Sequence, residues 1–219
     1  MKKIIAFLFV LCCLTDELHS QVPYFADTPG DNTLYGYVSM KFRPGINAQE
    51  TYTTFQYGLG NHLAIGTDIS TSVDNSYIGF LFRAGKALNK WFKFGGQVTP
   101  SFNLQKNLEL HHITAALYLN GAITKSSRLF WVSNTWFTYY LDGAYDIDQW
   151  AYLGYTCPLG SQSSISPLAG TIYSWKLNSA PKLAAGAYLT AKETYNFYLW
   201  FDSLFEKSPR IVIGMDFKF

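Results

Sequence analysis

The sequence predicts an all-β fold, a single transmembrane antiparallel up-and-down β-barrel of about twelve strands, with ten as the alternative. Three observations predict it. Segments of about ten residues alternate strictly between apolar side chains and polar or small ones, with turn chemistry between them, as strands do when one face meets lipid and the other a lumen. The 219 residues are 48% hydrophobic and 18% aromatic but only 15% charged, against roughly 25% charged in soluble domains, so much of the surface meets something other than water. The longest uncharged stretch, Gln149 to Trp175, is broken by Pro158 and Pro167, which leaves no helix to cross a bilayer, and lipid admits only helices and closed barrels.

Residues 1–20 read as a secretory signal: Lys2 and Lys3, the apolar run Ile4 to Leu14, then a polar end at Leu18-His19-Ser20, with cleavage expected near Ser20 and residues 21–219 left as the barrel domain. The apolar run falls short of the roughly 20 residues a spanning helix needs. Cys12 and Cys13 lie in this leader, so Cys157 stands alone in the mature chain and an intramolecular disulfide is excluded. Lipidation at Cys13 is disfavoured, because Cys12 stands where a lipoprotein signal carries a small residue.

The strands are expected, in order, near Leu34–Phe42, Tyr52–Leu59, His62–Thr71, Ser76–Gly85, Phe92–Phe102, Leu108–Ile123, Arg128–Leu141, Gln149–Leu159, Ile165–Trp175, Pro181–Ala191, Tyr195–Asp202 and Arg210–Phe219. The segment at Ile165 is the least regular, diluted by Pro167 and several Ser, and its loss would give ten strands. A soluble barrel also alternates, but it needs a charged exterior. Here the face opposite the apolar one carries Gly, Ala, Thr, Ser and scattered charges, which suit a confined polar lumen. Tyr35, Trp91, Trp131, Tyr139, Trp150 and Trp175 sit near strand ends, where interfacial girdles are expected.

In the last segment Ile211, Ile213, Met215, Phe217 and Phe219 form a wholly apolar face behind a terminal Phe. It resembles the C-terminal strand of bacterial outer-membrane β-barrel proteins. The resemblance implies outer-membrane lipid as the surroundings, the barrel-assembly machinery as a partner, and both termini in the periplasm. The periplasmic turns would then be Gly60-Asn61, Ala87–Lys90, Thr124–Ser127, Gly160–Ser163 and Lys192–Thr194. The outer loops would be Arg43–Gln49, Ser72–Asn75, Asn103–Asn107, Asp142–Asp148, Leu177–Ala180 and Leu204–Ser208. All are short, which favours a simple channel or a structural barrel.

On the wet face the alternation places the basic residues Lys41, Arg43, Arg83, Lys93, Lys182, Arg210 and Lys218 against the acidic Asp68, Asp202 and Asp216. Seven minus three leaves roughly four positive charges, which would draw small anions or else form internal ion pairs. Tyr37, Tyr77, Tyr118, Tyr188, Tyr198 and Trp200 share that face, as lumen filling or as stacking surfaces for a sugar or nucleoside. The expected function is a narrow passive pore for small polar or anionic solutes. The alternatives are a closed structural or partner-binding barrel and a lipid-modifying enzyme.

His111-His112 is the one cluster that invites catalysis or metal binding. Adjacent strand residues point to opposite faces, so the two cannot share a metal without a bulge, and only His112 is expected on the wet face. Pairing positions that sum to about 251 sets His112 near Tyr139 and Ser133 near Tyr118, which leaves a His112/Ser133 pair out of hydrogen-bond reach. Asp142, Asp146 and Asp148 read as a solvated acidic loop, without the spacing of a calcium site. There is no phosphate loop or CxxC pair, so no cofactor or metal is expected, and a net charge of +2 without a basic stripe sets nucleic acid aside.

Overall fold

The computed structural model describes residues 26–176, 180–192 and 194–219, without the side chains of 46–48. The signal segment, with Cys12 and Cys13, lies outside the described residues, as do parts of the Leu177–Ala180 loop and the Lys192–Thr194 turn. The strands are β1 (Leu34–Arg43), β2 (Ile46–Gly60), β3 (Leu63–Ser72), β4 (Ser76–Asn89), β5 (Phe92–Asn103), β6 (Glu109–Ala122) and β7 (Leu129–Tyr140). They continue with β8 (Tyr145–Tyr155), β9 (Cys157–Pro158), β10 (Ser163–Ser174), β11 (Lys182–Ala191), β12 (Tyr195–Asp202) and β13 (Arg210–Lys218).

Apart from the short β9, each strand pairs antiparallel with the strands before and after it, and β1 pairs with β13 from Tyr35↔Lys218 to Phe42↔Ile211, which closes the sheet on itself. Leu34 and Phe219 exchange both backbone bonds at 2.8 Å at the end of that seam. Closure leaves no edge strand, as lipid requires. Twelve full strands make the wall. β9 is a two-residue piece that continues the line of β8 past Thr156 and pairs with the start of β10. The twelve-strand expectation therefore holds, and Pro167 is accommodated on β10 opposite Ala187.

Alternation sorts the two faces as the sequence implies. Phe80, Phe82, Leu117, Leu153, Leu183 and Ile213 stand exposed on the outside, while Ser39, Thr54, Asp68, Arg83, Tyr118, Tyr188, Tyr198, Trp200 and Asp216 are buried inside. Ile211, Ile213, Met215, Phe217 and Phe219 keep to the outer side, with the ring of Phe217 lying where a Cβ on Gly36 would stand. Two aromatics expected in the girdles belong to the lumen instead. Tyr35 is 8% exposed and shares the inward parity of Tyr37 and Ser39; Trp150 packs on the inward cluster with Tyr152.

Two hairpins are tighter than expected. β2 begins at Ile46, so the loop predicted at Arg43–Gln49 shrinks to Pro44-Gly45, and β8 begins at Tyr145, which puts Asp146 and Asp148 on a strand rather than in a loop. At the other end Asn61 and His62 adopt φ of 50° and 66°, the left-handed pair that a two-residue hairpin demands for its twist to match the strands.

Candidate functional site

The candidate site is the lumen, and its two walls differ. On β7–β13 the inward residues Phe130, Val132, Tyr152, Leu168, Ala184, Tyr188, Tyr198, Trp200 and Val212 form one buried apolar cluster. Tyr152 on β8 and Trp200 on β12 bring their rings to 4.7 Å, although β10 and β11 lie between their strands in the wall. That contact therefore runs across the lumen as a chord. The aromatic series continues through Tyr188 and Trp200 at 6.0 Å, Tyr198 and Tyr37 stacked at 5.7 Å, and Trp136 and Trp150 at 4.9 Å.

On β1–β6 the lining is polar: Ser39, Thr54, Gln56, Asp68, Arg83, Thr99, Ser101, Asn103 and Asn120, each buried. Arg83 sits 4.6 Å from the centre of the Tyr118 ring, a cation–π contact inside the lumen. Tyr118 donates its hydroxyl hydrogen to Gln97 Oε1 at 3.2 Å. Near the seam Asn196 donates to Asp216 at 2.7 Å and accepts from Thr190 at 2.6 Å, a chain of short polar bonds on the inner face of β11–β13.

Many of the charged residues assigned to the wet face lie in ion pairs. Lys41 pairs with Glu50 at 3.8 Å, Lys93 with Asp27 at 2.6 Å, Arg210 with Asp202 at 2.7 Å, and Arg43 and Lys182 share Glu206 at 3.2 and 2.8 Å. Asp146, formerly grouped in an acidic loop, pairs with Lys176 at 3.3 Å. Glu50, Asp27 and Glu206 were missing from the sequence count because β2 reaches further than its hydrophobic pattern and the other two lie off the strands. Asp27, Glu50 and Glu206 thus join Asp68, Asp202 and Asp216, and Asp146 and Asp148 share the inward parity of Trp150 and Tyr152, so the acidic groups are no fewer than the seven basic ones.

Each mouth carries a fastening. At the outer end Glu206 bridges Arg43 and Lys182, while Ser208 donates to the Pro44 carbonyl at 2.6 Å, tying the loop after β12 to the first hairpin. Hydrogen bonds from Lys182 and Arg43 hold the Glu206 carboxyl below its ordinary value of 4.5. At the terminal end the segment Ala26–Asp31 lies inside the mouth. Ala26 has no exposed surface, and its carbonyl oxygen would be 1.9 Å and 2.2 Å from a Cβ on Gly85 and Gly95; the Gly30 carbonyl would be 1.6 Å from one on Gly58. Three inward glycines on β2, β4 and β5 thus form a groove that only a backbone this bare leaves open.

The histidines depart from expectation. The register between β5 and β6 slips so that Ser101 faces His112 while Phe102 faces Leu110, which leaves His111 as the extra residue of a bulge. Both rings consequently reach the lumen, Nδ1 to Nδ1 at 2.9 Å. His112 pairs with Tyr140 rather than Tyr139, and Ser133 faces Leu119 rather than Tyr118, which puts Ser133 on the outward parity and separates it from His112 by face as well as by register.

No protein-family model matches the chain, and no curated protein matches it. Among solved structures it is similar to the KdgM porin, with a TM-score of 0.57 and 9% identity over 84% of this chain and 99% of that one. It is likewise similar to the NanC porin, with a TM-score of 0.56 and 13% identity over 84% of this chain and all of that one. At such identities the likeness is one of fold, a closed antiparallel β-barrel.

Proposed function

We propose that this barrel is a narrow passive pore for small polar solutes, with charge pairing leaving little preference for either sign of charge. The observation that carries the reading is the polar wall of β1–β6, which runs from the Lys41–Glu50 pair at one mouth through Asp68, Arg83 and Gln97 to Lys93 at the other. Such a wall offers hydrogen bonds in place of a solute's hydration shell. The likeness to the KdgM and NanC porins supports the same reading. The outward apolar face, including the terminal Phe219, suits outer-membrane lipid and delivery by the barrel-assembly machinery. Purified protein in planar bilayers is expected to give small steady conductances with a reversal potential close to neutral selectivity; a protein that inserts and never conducts would reject the pore.

One observation favours a second reading, a closed barrel with a structural or partner-binding role. The Tyr152–Trp200 chord fills the lumen on the apolar side, so any passage must run along the polar wall alone. Water permeation into vesicles carrying the protein separates the two readings, because a closed barrel leaves the vesicle's own rate unchanged.

A further inference from the structure

The bulge at His111 places two imidazoles where neither strand geometry nor charge pairing calls for them. Their Nδ1 atoms lie 2.9 Å apart with the rings at 89°. The contact is a hydrogen bond, and two nitrogens bound to one metal at about 2.0–2.1 Å, with a bond angle between square and tetrahedral, stand about 2.8–3.4 Å apart, so the pair needs to rotate but not to separate to meet one ion. Aromatic groups flank both rings and keep them at the same end of the lumen. Tyr77 on β4 packs on His111 at 4.8 Å and on His112 at 5.2 Å, and Tyr140 on β7 packs on them at 5.8 Å and 5.7 Å. The backbone is pinned as well, with the Leu141 amide donating to the His111 carbonyl at 3.2 Å. Both histidines are half-buried at the outer end of β6, one step from solvent, so water can fill the remaining coordination positions.

We propose that His111 and His112 bind a late first-row transition-metal dication, such as Cu2+, Ni2+ or Zn2+, at the outer mouth of the barrel. Imidazole suits these ions, whereas Mg2+ and Ca2+ take oxygen donors. The two rings now share one proton along Nδ1···Nδ1. Binding requires the donor ring to move that proton to its own Nε2, which frees both Nδ1 lone pairs with no net proton release. Each ring then turns so that the two lone pairs converge on the ion instead of on each other. Among the described residues no third His, Cys, Asp or Glu joins the pair, so the site is open and exchanges its ion readily rather than locking it in as a structural zinc site does.

The test uses untagged protein purified in detergent micelles, titrated with Cu2+, Ni2+, Zn2+ and, as control, Mg2+ by calorimetry, with electron paramagnetic resonance of the Cu2+ sample. One equivalent of transition metal is expected and no Mg2+, with nitrogen couplings from two imidazoles. His111→Ala and His112→Ala should each weaken binding at least as much as the roughly 10–100-fold that disturbing a ligand's outer shell costs, while His62→Ala, at the opposite end, should leave it unchanged. No uptake, a spectrum with fewer than two imidazoles, or equal loss in the His62 variant would overturn the site. The spectrum of the unsubstituted protein decides the matter even where a variant fails to fold, and binding in micelles requires no conduction, so the pore reading stands or falls apart from it.

Discussion

The walls formed by β1–β6 and by β7–β13 enclose the same lumen, are built on the same alternation and both carry buried polar residues, yet only the second adds to them a packed cluster of large apolar side chains. On the first, inward positions carry Thr54, Gln56, Asp68, Arg83, Thr99 and Asn103; on the second, Phe130, Val132, Tyr152, Leu168 and Trp200. Period-two patterning decides only which face a side chain takes, not how far it reaches. A wall of short polar residues leaves room beside it, and a wall of rings closes that room by meeting its own far side. Inward residues thus play two physical roles within one barrel, lining and filling.

The largest loss is expected at Trp200. Trp200→Ala removes the far end of the chord and should cost about 3–5 kcal/mol, the range for emptying a packed aromatic site, read as a shift in denaturant midpoint of the barrel in lipid. Thr99→Ala on the polar wall should cost far less, and equal losses would mean the walls do not differ in packing. Arg83→Ala comes next. Losing its place over Tyr118 should cost about 1–2 kcal/mol, raise single-channel conductance, and move the reversal potential toward cations. Gly95→Val addresses the terminal mouth: a Cβ 2.2 Å from the Ala26 carbonyl cannot coexist with it, so the Ala26–Asp31 segment should leave the groove and become open to proteolysis, at a cost of about 1–2 kcal/mol for the burial of Ala26 and the half-buried Lys93–Asp27 pair.

The smallest effect is expected at the outer rim, where it sharpens the comparison by touching neither wall. The depressed Glu206 carboxyl contributes its bridge to Arg43 and Lys182 in full above the ordinary carboxylate range, and the contribution fades as pH falls through the lowered value. Amide exchange in residues 203–209 should therefore stay slow through mildly acid pH and quicken only at stronger acidity. In Glu206→Gln it should be faster at neutral pH and lose that acid dependence.

The strands and their facing were legible because alternation is a local property: each of the twelve segments carries its own evidence, down to Pro167, whose place on β10 the pattern tolerates. The ion pairs were not, because Lys41–Glu50 and Lys182–Glu206 depend on cross-strand register and on a loop folding over the mouth. Trp150 was misassigned because position near a strand end suggested a girdle, where counting parity from Tyr152 points it inward. The His111 bulge had no glycine to announce it. Its only trace was the His-His pair itself, whose two faces a regular strand would have kept apart.

The chord between Tyr152 and Trp200 has a mechanical side. It spans the stretch of wall made of β10 and β11, beside the place where the line of β8 is interrupted at Thr156 before the short β9 resumes it. A cylinder held only by hydrogen bonds around its rim flattens most easily where that rim is discontinuous. A strut set behind such a stretch resists flattening under the lateral pressure of a bilayer, as a spoke keeps a wheel round at its weakest joint.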